Sequence, residues 1–181
     1  MTRIILVIAA LICAVPAFAQ QALPKGIDKQ NTLVIDTSKG RVVIKLRPDL
    51  APKHAERLKQ LTREGFYDNV PFHRVIDGFM AQTVDGDRGD GRGKSKYPNL
   101  PAEFSNVPYT RGIVGMARAA DPNSANCQFF IMFANGDFLN GKYTVVGQVI
   151  AGMDVVDQLK RGEPVQNPDT MVKVQVAADM K

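Results

Sequence analysis

The 181-residue sequence has no tryptophan, two cysteines and two histidines, and each scarcity removes a class of function. His54 and His73 with so few thiols do not make a zinc set, so no metal site is expected. No Gly-x-Ser-x-Gly occurs, which leaves a serine hydrolase without its nucleophile turn. The longest apolar run, Ile4 to Val15, is twelve residues. A membrane span needs about 18 or more, so no stable membrane association is expected. Internal repeats are missing, which excludes solenoids and propellers. The 23 Lys and Arg are scattered among 18 Asp and Glu for a net charge of +5, without the one-sided basic stripe of a nucleic-acid surface. What is present, 45% hydrophobic and 23% charged residues, is the balance of a globular protein with room for one core.

The first residues stand apart. Met1-Thr2-Arg3 is positively charged, the apolar run follows, Pro16 breaks it, and Ala17-Phe18-Ala19 is a small-x-small cleavage signal before Gln20. That three-part pattern predicts a signal peptide over 1–19 and export to the periplasm or medium. A lipid anchor at Cys13 fits less well, because Ile12 before it is bulky. Residues 20–30 read as a polar leader and 31–181 as a single domain. Cleavage removes Arg3 and Cys13, leaving 22 bases against 18 acids, or +4. Cys127 is then the lone cysteine and closes no internal disulfide. Its apolar setting, Cys127-Gln128-Phe129-Phe130-Ile131, suits a buried small hydrophobe better than a reactive thiol.

The mature chain reads mainly as strands. Thr32 to Thr37 and Arg41 to Leu46 flank Ser38-Lys39-Gly40, a hairpin pattern. Pro52 opens a helix of about a dozen residues, with Ala55, Leu58 and Leu61 on one face and Gly65 at its end. Phe72 to Met80 reads as extended chain, and 84–103 as a long loop. Further strands are predicted at Gly112–Ala117, Gln128–Phe133, Tyr143–Ile150 and Met171–Ala177, the last alternating Val172, Val174 and Val176. Met153–Lys160 reads as a second short helix. Many strands and two helices suggest a closed or nearly closed barrel with its ends covered.

Three loop motifs lead nowhere. Gly93-Lys94-Ser95 lacks the first glycine of a phosphate loop, since position 88 is Arg88. Asp85, Asp87 and Asp90 miss calcium-loop spacing. Arg88-Gly89-Asp90 is a tripeptide common by chance.

Phe72-His73-Arg74-Val75-Ile76-Asp77-Gly78-Phe79-Met80-Ala81-Gln82 is different, placing a cation and an amide among large apolar side chains. On an extended chain Arg74, Ile76 and Gly78 face one way, and His73, Val75 and Asp77 the other. A lone arginine in such a run ordinarily snorkels or pairs with a carboxylate. The stretch also resembles the signature of the cyclophilin-type peptidyl-prolyl isomerases. The resemblance continues in Gly65-Phe66-Tyr67-Asp68, in Gly112 to Arg118, in Asn126 to Ile131, in Phe138 to Gly147 and in Gly152 to Val156. It spans about 31 to 177. It implies a closed eight-stranded antiparallel barrel capped by two α-helices, acting as a monomer on proline-containing unfolded polypeptides without metal or cofactor. Rotation about the prolyl bond is the implied reaction, and a cyclophilin-fold chaperone or proline-peptide binder is the alternative. The resemblance makes Arg74 the donor to the prolyl nitrogen and Gln82 a holder of the substrate backbone. His73 matches a site histidine, read here as orienting neighbours, because rotation breaks no covalent bond. Phe79, Met80, Phe130 and Leu139 would grip the proline ring, and Ala117 and Arg118 would offer main-chain groups. Gln128 would support the arginine, whereas Phe129 faces the core. Phe138 stands where the family often has Trp, so cyclosporin is expected to bind weakly. Tyr143 replaces a frequent His and can still wall the pocket, and the 83–96 loop departs most.

Overall fold

Thr32–Thr37 (β1) and Gly40–Leu46 (β2) pair antiparallel from Thr32 opposite Lys45 to Thr37 opposite Gly40. Thr37 Oγ1 accepts from Lys39 N at 3.0 Å and Gly40 N at 3.1 Å, which closes the turn on itself. The computed structural model describes residues 22–83 and 93–181. The expected signal peptide and the Arg88-Gly89-Asp90 tripeptide lie outside those residues.

Helix α1, Pro52–Arg63, starts where the sequence predicts, with proline in its first turn. Ala51 caps it without a side-chain hydrogen bond. Instead Glu103, from a distant loop, accepts from Lys53 N at 3.2 Å and His54 N at 3.1 Å. A carboxylate there satisfies orphan donors and opposes the positive end of the helix dipole. The same carboxylate lies 2.6 Å from His54 Nδ1, while His54 Nε2 is buried with no hydrogen-bond partner among the described residues. Burial pushes the His54 pKa below its ordinary 6.5, and Glu103 opposes that only in part. A histidine with a depressed folded pKa favours the fold when neutral. Its contribution is therefore complete above pH 6.5 and is lost as pH falls through the folded value. Denaturant midpoints should fall between pH 7.5 and 5.5, and fall less in His54→Gln; parallel pH dependence in the two proteins would refute the assignment.

The remaining strands are Val70–Pro71 (β3), Arg74–Ile76 (β4), Met80–Gln82 (β5), Ile113–Met116 (β6), Phe129–Met132 (β7), Val145–Ala151 (β8) and Thr170–Val176 (β9). All join one curled antiparallel sheet in the order β3-β9-β1-β2-β8-β6-β7-β5-β4. This corrects the expected closed eight-stranded barrel: among the described residues there are nine strands, and the pairing is not continuous. The two edges, β3 and β4, are consecutive in the chain with only Phe72 and His73 between them. Phe72 N donates to Asp169 O at 2.9 Å, which extends the β3–β9 register by one residue, and His73 O accepts from Val165 N at 2.8 Å, so neither residue joins β3 to β4.

Two other expectations shift. The second helix, Met153–Asp157 (α2), is shorter than predicted, though the turn after it still buries Leu159. In β9 the alternation fails at Val172, which is 47% exposed. Asp36 pairs Lys173 but Thr37 pairs Met171, so Val172 is the unmatched residue of a bulge.

Helix α1 packs on β9 and β8, and α2 on β2. The main core holds Leu33, Ile35, Leu58, Leu61, Phe129 and Cys127, the thiol buried as expected. A second, smaller cluster of Met80, Tyr109, Ile113, Phe130, Met132, Leu139 and Val145 underlies the other end of the sheet.

Candidate active site

The Phe72–Gln82 stretch is a hairpin and not one extended segment. Phe79 N bonds Ile76 O at 3.1 Å, and Gly78 takes φ +67 in the turn between β4 and β5. Asp-Gly is a strong turn signal in its own right, and it overrides the β propensity around it. The fold-back puts Arg74 opposite Gln82, Gln82 opposite Phe130, Phe130 opposite Gly115 and Gly115 opposite Val145. Residues directly opposite across strands share a face. One row across five strands thus carries the cation, the amide, the aromatic ring and a glycine.

The glycine has a reason. A Cβ at Gly115 would lie 2.4 Å from Phe130 Cζ and 2.6 Å from the Tyr109 hydroxyl. Tyr109 and Phe130 stack with centroids 5.8 Å apart, and this pair floors the site. Tyr109 is a residue the sequence reading missed, since a lone tyrosine in a loop carries no signal.

Above the floor is an open cavity of about 520 Å³. It is lined by the apolar Phe79, Met80, Phe130, Phe138 and Leu139, by Arg74 and Gln82, and by Ala117, Arg118, Lys142 and Tyr143. Leu139 and Phe138 arrive on a short 3-10 turn, Leu139 buried and Phe138 61% exposed against Phe79. Gln128 lines an adjoining cavity of about 310 Å³, which shares Gln82, Ala117 and Arg118 with the first. His73 is half-buried and is not among the residues lining either cavity, as the strand alternation requires with Arg74 facing in.

A polar chain crosses the floor. Arg74 Nη1 donates to Gln82 Oε1 at 3.4 Å, Gln82 Nε2 to Gln128 Oε1 at 3.2 Å, and Gln128 Nε2 to Gly93 O at 3.4 Å. These are long bonds, so they steer orientation more than they add stability. Arg74 Nε donates to Glu163, 89 residues away. The arginine of the apolar run pairs with a carboxylate, as such arginines do, yet still lines the cavity.

Arg118 does more than the main-chain role expected of it. Its Nη2 donates to Lys142 O at 2.9 Å and its Nη1 to Ala119 O at 2.8 Å, and its guanidinium lies 4.3 Å from the Tyr143 ring centroid. The side chain ties the wall after β6 to the turn bearing Leu139. Tyr143 then meets Phe130 edge-on at 6.0 Å. Among the described residues, no group of three or more His, Cys, Asp or Glu could hold a metal ion.

Comparison with known proteins gives one consistent result. Residues 32–178 match the family model for cyclophilin-type peptidyl-prolyl cis-trans isomerases. A probable peptidyl-prolyl cis-trans isomerase of Brucella suis is 53% identical over 169 residues, covering 85% of this chain and 86% of that one. Among solved structures, a cyclophilin from Hirschia baltica superposes with TM-score 0.79 at 30% identity, over 86% of this chain and 77% of that one. A cyclophilin-type isomerase of Cryptosporidium parvum, determined in the presence of the dipeptide Ala-Pro, gives TM-score 0.74 at 26% identity, over 80% and 98%.

Proposed function

The chain belongs to the cyclophilin-type peptidyl-prolyl cis-trans isomerases and catalyses that isomerisation, and from this premise we propose that Arg74 stabilises the twisted prolyl amide while the protein works on exported polypeptides. The observation that carries the mechanism is the single cross-strand row of Arg74, Gln82 and Phe130 beside one open cavity.

Amide resonance sets a barrier of about 18–20 kcal/mol to rotation. At prolyl bonds both isomers are populated, but exchange takes tens of seconds or more. When the bond twists, the nitrogen becomes pyramidal and regains a lone pair. A donor aimed there binds the transition state more tightly than the planar ground state, which is the requirement for catalysis. Bringing a process of ~100 s to milliseconds means about five decades, or about 7 kcal/mol. Arg74 suits the task because its guanidinium stays charged and presents several donors in one plane. Phe79, Phe130 and Leu139 hold the proline ring, so rotation is confined to the chain on one side of it. Gln82, Gln128 and the main chain near Ala117 hold that moving side. Arg74→Lys keeps the charge but loses the plane, so it should retain less than about a tenth of wild-type kcat/KM on a proline tetrapeptide. Full activity in that variant would remove the role of the fork.

Drug sensitivity follows from Phe138. The exposed ring packs on Phe79 with centroids 5.4 Å apart, but it has no N–H to donate. Phe138→Trp should bind cyclosporin about fivefold more tightly, the worth of about 1 kcal/mol for one hydrogen bond. Titration calorimetry on the pair checks this, and equal affinities would refute it.

Export is supported by the charged start, the twelve-residue apolar run and Ala17-Phe18-Ala19. In an oxidising compartment an exposed thiol is trapped in mixed disulfides, whereas Cys127 is 1% exposed. Intact-mass spectrometry of exported protein should show a chain beginning at Gln20 without adducts. A mass that includes 1–19, or a glutathione adduct, would contradict the respective half.

A further inference from the structure

We propose that Glu163 is a positioning residue for the isomerase reaction, holding Arg74 by its Nε so that the outer guanidinium nitrogens face the cavity. The inference rests on Arg74 acting at the prolyl nitrogen.

An arginine side chain is a long lever with many rotamers, and fixing it costs conformational freedom. Packing does not fix this one, since its side chain is 33% exposed. Two contacts orient it instead. Nη1 reaches Gln82 only at 3.4 Å, whereas Nε donates directly to the Glu163 carboxylate. Two points determine the guanidinium plane. No hydrogen bond of Nη2 is seen among the described residues, so it is the nitrogen left for substrate.

The carboxylate itself stands on fixed backbone. Gly162 N donates to Val75 O at 2.8 Å, and Val75 N donates back to Gly162 O at 2.8 Å. Val165 N donates to His73 O at 2.8 Å. Glu163 is therefore flanked on both sides by bonds to the strand that bears Arg74. The same loop is fastened once more by Arg161, which pairs with Asp77 at 3.0 Å and lies 4.3 Å over the Phe133 ring. Asp77 is thereby engaged elsewhere, and none of the residues lining the larger cavity is acidic. Glu163 is the carboxylate that meets the guanidinium.

Stability does not account for the pair. Glu163 is 57% exposed, and exposed ion pairs contribute little to folding. Its value lies in geometry. A purely electrostatic role would have the opposite sign, because a carboxylate beside Arg74 weakens the field at the prolyl nitrogen. Neutralising it would then raise the rate.

The test is a four-protein cycle of wild type, Glu163→Ala, Arg74→Ala and the double variant, assayed on an uncharged proline tetrapeptide with Glu163→Gln alongside. Glu163→Ala should lower kcat/KM about three- to tenfold, the range spanned by one lost hydrogen bond. The loss should fall in kcat with KM unchanged, because the aromatic cavity still grips the proline. Glu163→Gln keeps an acceptor oxygen and should recover part of the rate. High salt should bring wild type toward the Glu163→Ala rate, and melting temperatures should stay together. In the Arg74→Ala background the effect of Glu163→Ala should vanish. A wild-type or faster rate in Glu163→Ala, or an undiminished loss without Arg74, would overturn the proposal while leaving the arginine mechanism standing. A wild-type rate in Arg74→Ala would remove that mechanism, and this inference with it.

Discussion

Arg74→Ala is expected to lower kcat/KM about a hundredfold or more while the protein melts close to the wild-type temperature. The loss follows from one charged hydrogen bond made in the transition state, worth about 3 kcal/mol, or two decades. The unchanged stability follows from position. Arg74 lies at the end of the sheet order, one-third exposed, with an ion-pair partner more exposed still. Such pairs contribute about 0–1 kcal/mol. Truncation also leaves no buried charge behind, because Glu163 is 57% exposed, and Gln82 keeps its bond to Gln128. Peptide binding, proposed to rest on Phe79, Phe130 and Leu139, should survive, so inhibition by a proline peptide should change little. Circular dichroism and the rate measured on the same sample decide the matter. A wild-type rate in a folded variant would refute the mechanism.

Gly115→Ala should injure both stability and catalysis, although it adds one methyl group. The new Cβ would lie 2.4 Å from Phe130 Cζ, 2.6 Å from the Tyr109 hydroxyl and 2.8 Å from Tyr109 Cε1. Tyr109 is 1% and Phe130 5% exposed, so neither ring can yield within the packed layer beneath the cavity. Overpacking of this kind costs about 1–3 kcal/mol. The way out for Phe130 is upward into the cavity it lines, the space proposed for the proline ring. We expect kcat/KM to fall about tenfold or more, mostly through KM, together with a lower denaturant midpoint. The contrast with Arg74→Ala is the informative part: one variant should lose rate with binding intact, the other binding and stability together. A Gly115→Ala protein with wild-type KM would show that the floor has slack the close contacts deny.

Much of this arrangement is legible in the residues themselves. The β1–β2 pattern and the Pro52 start of α1 appear where local chemistry places them, because both depend on neighbours in sequence. Arg74, Gln82 and Phe130 were identifiable as a set from the motifs that contain them. What escaped depends on distance along the chain. Glu163 is 89 residues from Arg74, and no local pattern distinguishes it from other surface acids. Glu103 caps α1 from about 50 residues away, while Ala51 at the cap position gives no sign of it. Val172 looks like a core residue by alternation, and only the bulge opposite Asp36 and Thr37 turns it outward. Asp77-Gly78 carries a local turn signal that the extended reading of Phe72 to Met80 does not use. Arg118 illustrates a further limit. The resemblance gives it a main-chain role alone, and its stacking on Tyr143 requires the fold.

The break at Phe72 and His73 has a bearing on the company this protein keeps. The clients proposed for this protein are chains not yet folded, and such chains carry unpaired strands seeking partners. A sheet with a long free edge would recruit them by ordinary strand addition and would become a seed for aggregation. Here the two terminal strands of the order are only Val70–Pro71 and Arg74–Ile76. They follow each other along one stretch of backbone, and Val75 is occupied by Gly162 on its outer side. Pro71 lacks the N–H that a docking strand would use. A strand seeking a partner therefore finds no long free edge on this sheet, and the cavity proposed for the proline ring stays the way in.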